Sequence, residues 1–142
     1  MKEITLYTGG TFDLFHAGHV NFLKQCSNIS HSVVVGINTD EFIERYKGKK
    51  PTYSLQERIC ILESCRYVSR VVINESCEDS KPTINTVRPD IIAIGTDWAA
   101  RDYYKQMKFD QAWLDQKNIT LAYIPYTQGI STTEVVSKVK AK

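Results

Sequence analysis

The stretch EITLYTGGTFDLFHAGHVNFLKQC, Glu3 to Cys26, reads as a strand, a turn and a helix in immediate succession. Its first six residues, 3–8, are compact and rich in β-branched and aromatic side chains, as a buried strand requires. Gly9 and Gly10 let the backbone turn sharply and approach a ligand closely. A helix then starts near His16 to His19 and runs over roughly 18–27. The same alternation continues down the chain. SVVVGI (32–37), RVVI (70–73), DIIAIG (90–95) and ITLAYI (119–124) read as further buried strands. Helices are expected over 54–65, 80–88, 101–117 (with a break) and 131–140. Strand and helix in regular alternation give a parallel sheet covered on both faces, and right-handed crossovers wind it in both directions. The expected fold is α/β, a Rossmann-like doubly wound five-stranded parallel sheet, in one domain over residues 1–142.

In such sheets ligands bind outside the carboxyl ends of the strands, near the point where the strand order reverses. The chemistry should therefore sit in the segments that follow strands: 8–19, 38–53, 96–101 and 125–133. Glycine, histidine, lysine, tryptophan and hydroxyl residues gather in these same segments.

The totals narrow the function classes. With 142 residues, 42% hydrophobic and 24% charged, the chain can bury a sizeable core and has no disordered character. A net charge of +2 gives no argument for nucleic acid as a partner. No apolar run approaches the roughly 18 residues of a membrane span, so no membrane insertion is expected. The four cysteines form no CxxC pair, and Met1 to Thr8 reads as a strand rather than as a targeting segment. A reducing cytoplasm is the expected location.

The turn after the first strand sets the first site. A helix N-terminus with free N–H groups favours an anion. His16 and His19 would project beside that anion, Gly18 lets the helix start lie close to it, and Asp13 can cap or brace the turn. Zinc and a buried structural pair are the alternatives for the two imidazoles, but neither cysteine nor carboxylate offers an obvious third ligand. GxGxxG is absent, so this is no dinucleotide fingerprint. The second site is RYKGKKPTYSLQER, whose Arg45, Lys47, Lys49 and Lys50 surround Gly48 in a flexible loop able to close over phosphates. Ser54 reads as an N-cap with Glu57 as its capping-box partner. Arg58 and Arg66, on or just after that helix, are compatible with ordinary surface arginines. Asp97 and Trp98 follow the fourth strand, where a nucleobase or ribose could lie. Ser131, Thr132 and Thr133 place three hydroxyls at a second positive helix end, with Glu134 completing a cap. Two helix N-termini at one sheet edge suit a polyphosphate.

GTFDLFHAGH together with RYV and GISTT resembles the cytidylyltransferase branch of the HxGH nucleotidyltransferases, and within it the bacterial glycerol-3-phosphate cytidylyltransferases. The resemblance covers most of the chain. It implies that CTP and a small phosphorylated alcohol, glycerol 3-phosphate first among them, give a CDP-alcohol and pyrophosphate, the acceptor phosphate attacking the α-phosphorus in line. On the same resemblance His16 and His19 contact the CTP phosphates, and Gly10, Thr11 and Phe12 shape the nucleotide pocket. Lys47 lies near the acceptor phosphate and Lys49 near CTP. Arg66, Asp97 and Trp98 line the nucleotide or acceptor site, and Thr127, Gly129, Ile130, Ser131 and Thr132 hold CTP at the last helix. A magnesium ion held mainly by the CTP phosphates is expected, because the sequence offers no carboxylate cage. A homodimer with Arg66 to Val68 near its interface is also implied. Three departures stand out: Tyr126-Thr127-Gln128 replaces the family's Arg-Thr-Glu, Ser69 stands where an acid is usual, and Lys81 only loosely matches a basic acceptor-side residue. An adenylyltransferase of the same fold and a nucleotide-binding module without turnover are the competing readings.

Overall fold

The computed structural model describes residues 2–76, 78–95, 107–125 and 131–142. Five strands form one sheet: β1 (Thr5–Gly10), β2 (Ser32–Asn38), β3 (Arg70–Asn74), β4 (Ile91–Gly95) and β5 (Thr120–Ile124). All neighbours are parallel, in the order β3-β2-β1-β4-β5. The order reverses between β1 and β4, so the expected doubly wound sheet is the observed one. The helices are α1 (Ala17–Asn28), α2 (Asp40–Lys47), α3 (Leu55–Glu63), α4 (Lys81–Val87), α5 (Gln111–Gln116) and α6 (Thr132–Lys140).

Alternate strand residues point to opposite faces, and each face has its own core. Leu6, Val33, Val35, Ile37 and Ala93 pack with Leu23 and Cys26 of α1 and Leu62 of α3. Tyr7, Val34, Ile92 and Ile94 pack on the other face with Ile84 and Val87 of α4 and Leu114 of α5. Of the central strands, β2 is buried over its five inner residues, which accounts for its unbroken apolar run. Among the described residues no helix is long and apolar enough to cross a membrane.

Three local expectations change. Gly9 and Gly10 belong to β1 and pair with Gly36 and Ile37. The turn comes later and is made by Phe12 (φ 52°) and Leu14 (φ 49°), two non-glycine residues in the left-handed region. The basic segment begins as a helix: α2 is capped by the Thr39 hydroxyl on Phe42 N–H and ended by Gly48 at φ 77°. In the segment expected to be a broken helix, residues 101–106 lie outside the described residues, and α5 is its last part.

Gly36 is demanded by packing. A Cβ there would come 2.0 Å from the Tyr7 hydroxyl and 2.6 Å from its ring carbon Cζ. Tyr7 is fully buried, and its hydroxyl has no hydrogen-bond partner among the described residues. Burial pushes that phenol above its usual range. Gly36→Ala should therefore cost about 1–3 kcal/mol by overpacking. Tyr7→Phe, which removes only the unpaired hydroxyl, should leave stability unchanged or raise it by about 1 kcal/mol. Denaturant melts of the two variants check both signs.

Candidate active site

The turn between β1 and α1 delivers His16 and His19 to the carboxyl edge of the sheet. His16 is the N-cap of α1, and His19 is the third helical residue. Gly18 N–H donates to His16 Nδ1 at 3.0 Å, and His16 N–H donates to His19 Nδ1 at 3.1 Å. Two imidazoles thus replace the hydroxyl and carboxylate of an ordinary capping box. Each Nδ1 uses its lone pair as an acceptor, so each neutral ring carries its proton on Nε2. That tautomer offers an N–H donor on the side away from the backbone and no free lone pair for a metal. The rings stack at 3.9 Å, and His19 also lies between Phe12 and Phe15, each 5.3 Å away. Burial, then the neighbouring His16, lowers His19 from 6.5 to about 3, against an opposing pull from Asp13. Burial also lowers His16.

Asp13 does more than brace its own turn. Its carboxylate accepts N–H bonds from Leu14, Thr52 and Tyr53 at 3.1, 2.7 and 2.9 Å. Its carbonyl accepts the Thr132 hydroxyl at 3.0 Å. The start of α6 is thereby tied to the turn that starts α1, and two helix N-termini meet at one edge as expected. The hydroxyls differ in what they can still do. Ser131 Oγ accepts from Glu134 N–H, and its own O–H has no acceptor among the described residues. The Thr132 hydroxyl donates to the Asp13 carbonyl, which ties the start of α6 to the turn.

Arg58 overturns its reading as a surface residue. It is completely buried. Nε donates to the Tyr53 carbonyl, Nη1 to the carbonyls of Thr11 and Asn38, and Nη2 to Asp40 Oδ1 at 2.6 Å. Asp40 Oδ2 in turn accepts from Leu55 N–H. Nothing in the S-L-Q-E-R pattern marks the arginine as buried, because its partners come from three stretches of the chain: Thr11, Asn38 with Asp40, and Tyr53. The α2 helix was legible in principle: Thr39 as cap, Asp40 and Glu41 in the first turn, and Gly48 after the last.

The remaining expected residues divide. Gly10, Thr11, Phe12 and Gly18 lie at the His pair. The need for Gly10 is local, since a Cβ there would meet the Phe12 ring at 2.9 Å. Lys47 ends α2 and Lys49 follows it, both exposed. Arg66 is exposed and lies 5.8 Å over the Tyr67 ring, between α3 and the start of β3. That is the amino edge of the sheet, so the fold of one chain does not bring it to the histidines. Ser69, also there, exchanges hydrogen bonds with Val33 at the start of β2. Lys81 is a clip, its ammonium bonded to the Lys108 carbonyl. Asp97, Trp98, Thr127, Gly129 and Ile130 lie outside the described residues, as does Tyr126.

Comparison with known proteins places this geometry among relatives. The Cytidylyltransferase-like family profile matches residues 7–138. The chain is 36% identical over 140 residues to a glycerol-3-phosphate cytidylyltransferase of Bacillus subtilis, covering 98% of each. It is 31% identical to an FAD synthase of Pyrococcus horikoshii, covering 97% of this chain and 93% of that one. A crystal structure of the lipopolysaccharide core biosynthesis protein of Thermoplasma volcanium superposes with a TM-score of 0.67 at 28% identity, over 89% of this chain and 98% of that one.

Two outcomes follow from the site. Arg58→Met should cost about 3–5 kcal/mol, since Asp40 and three carbonyls lose their donor. Arg58→Lys should recover little, because an ammonium lacks the fork that reaches all four; chemical denaturation of both variants measures this. The second outcome concerns acid. From pH 6.5 down towards 3 the unfolded chain takes up a proton that folded His19 refuses, so stability is lost as pH falls. His19→Asn keeps an acceptor for the His16 N–H but cannot titrate. It should flatten that acid limb by up to about 1.4 kcal/mol per pH unit, read from denaturation midpoints between pH 7 and 5.

Proposed function

The chain belongs to the cytidylyltransferase-like family of nucleotidyltransferases, and from that premise we propose that it transfers a cytidylyl group from CTP to a small phosphorylated alcohol, glycerol 3-phosphate first, releasing pyrophosphate. The observation that carries the reading is the pair of Nε2–H donors set by backbone bonds to Nδ1, at the positive start of α1 and braced to the start of α6. One polyphosphate spanning both helix starts would meet neutral N–H donors, the Ser131 hydroxyl and two aligned helix dipoles.

In the proposed step a phosphate oxygen of the acceptor forms a bond to the α-phosphorus. The bond from that phosphorus to the oxygen bridging to the β-phosphate breaks, and its electron pair leaves on pyrophosphate. An ionised acceptor phosphate needs no general base, so positioning and charge stabilisation are the protein's share. His16 and His19 would donate to the oxygens on which charge accumulates, and Lys47 and Lys49 would add positive charge from the end of α2. Magnesium belongs to the proposal as an ion brought by the triphosphate, where it neutralises phosphate charge. The donor set fits this: both Asp13 oxygens are engaged by backbone N–H groups, and among the described residues no three His, Cys, Asp or Glu side chains cluster.

The similarity to an FAD synthase over nearly the whole chain favours a second reading, adenylyl transfer. The test is pyrophosphate release with CTP or ATP against a panel of polyol phosphates, phosphocholine, phosphoethanolamine and FMN. CTP with a phosphorylated alcohol should be productive, and ATP should neither turn over nor raise the melting temperature as far as CTP does. Turnover confined to ATP would overturn the cytidylyl reading. His16→Ala and His19→Ala should each lower kcat by on the order of 10²-fold or more; near-normal turnover in both would remove the phosphate-clamp role.

A further inference from the structure

The carboxyl edge of the sheet is used unevenly. β1, α1 and α6 supply the phosphate-facing half around His16, His19 and Ser131. The half at the ends of β2 and β3 holds neutral polar side chains that the reaction above leaves without a task. Asn38 ends β2, Asn74 ends β3, and the two are register partners.

Their amides are oriented in series. The Thr83 hydroxyl, in the first turn of α4, donates to Asn74 Oδ1 at 3.0 Å. Asn74, buried at 5% exposure, is thereby set with its oxygen towards Thr83 and its NH2 towards Asn38 Oδ1, at a long 3.5 Å. An amide whose oxygen faces a donor presents its N–H groups on the opposite side. Asn38 therefore turns two donors away from Asn74. It is half-buried, and Arg58 holds its backbone carbonyl at 2.9 Å. Two residues earlier on the same face, Gly36 leaves a space that the Tyr7 phenol fills, so the strand beneath Asn38 has a packed floor.

We propose that Asn38 is a specificity-determining contact for the acceptor, its amide N–H groups binding a hydroxyl oxygen on a neutral polyol tail, with Asn74 and Thr83 as positioning residues. The proposal rests on the nucleotidyl-transfer reading of this site. The chemistry of the wall selects the class. Amide donors oppose an ammonium, which needs a carboxylate or an aromatic cage. Of the carboxylates on the flanking segments, Asp40 is paired with Arg58, Glu78 with Arg45 and Asp79 with Lys81. A planar ring system would want an apolar slot, whereas Asn38, Asn74 and Thr83 are short and polar.

The test uses the full chain with CTP and magnesium, and glycerol, erythritol and ribitol phosphates, each against the n-alkyl phosphate of equal length. Asn38→Ala should lower kcat/KM for the preferred polyol phosphate on the order of 10-fold and leave the alkyl phosphate within about 3-fold, which erases the wild-type preference. Thr83→Val, which frees the Asn74 carbonyl, should shrink the same preference by a smaller factor, and it gives the readout if Asn38→Ala does not fold. Equal losses on both phosphates, or no loss on either, would overturn the assignment. Productive turnover with phosphocholine or FMN and with no polyol phosphate would overturn it while nucleotidyl transfer stands. Absence of pyrophosphate release with every nucleotide and acceptor would remove the proposed function and this inference together.

Discussion

The buried guanidinium of Arg58 is the constraint on which the geometry of the edge depends. A charge with no exposure to water is tolerable only when every donor is matched, and here the matches come from different parts of the chain. Thr11 follows β1, Asn38 ends β2, Asp40 opens α2 and Tyr53 precedes α3. Tyr53 closes the circuit, because its N–H binds Asp13 while its carbonyl binds Arg58. None of these segments can shift without stranding a buried polar group. The loops that line the site are therefore held by electrostatic demand, where strand cores alone would leave them free to vary.

That rigidity bears on how neutral histidines would do the work of the proposed phosphate clamp. Stacked at 3.9 Å, the two rings could not both be charged without strong repulsion, and burial already disfavours charge on either. Their usefulness lies in direction. Backbone N–H groups occupy both Nδ1 atoms, so the Nε2 donors are aimed before any ligand arrives and need no reorganisation. The helix dipole supplies positive potential without a mobile charge. Phosphate binding would act on the same equilibrium from outside, since a nearby anion favours the imidazolium.

The sheet was legible because buried strands have to be apolar, and all five apolar runs became strands within two residues of their expected limits. The His pair and the start of α6 were legible because the parallel topology forces residues after strands to one edge. What escaped was whatever depends on convergence. Arg58 carries no local mark of burial, and its neutraliser Asp40 lies eighteen positions away. Gly9 and Gly10 look like the turn in sequence, yet glycine serves there to admit the Phe12 and Tyr7 side chains, and Phe12 and Leu14 take the left-handed backbone themselves. Three hydroxyls at the last helix looked equivalent, but the carbonyl of Asp13, 119 positions away, claims the proton of Thr132.

Substrate choice should then reside where the constraint is least shared. Phosphates are common to every substrate of this reaction class, so the half of the edge proposed to meet them, β1 with α1 and α6, would not distinguish one acceptor from another. A relative named for a glycerol phosphate and one named for a flavin nucleotide match this chain at similar identity over nearly all of it, so overall likeness does not separate them either. Discrimination has to come from groups left unpaired by the wrong ligand. On the proposed reading Asn38 at the end of β2 is such a group: Arg58 holds its backbone carbonyl, and the Asn74 amide lies beside its own at 3.5 Å. The guanidinium that steadies the turn before α1 also holds the end of β2, so on the proposed reading the placement of the two reactants would be coupled through one buried charge.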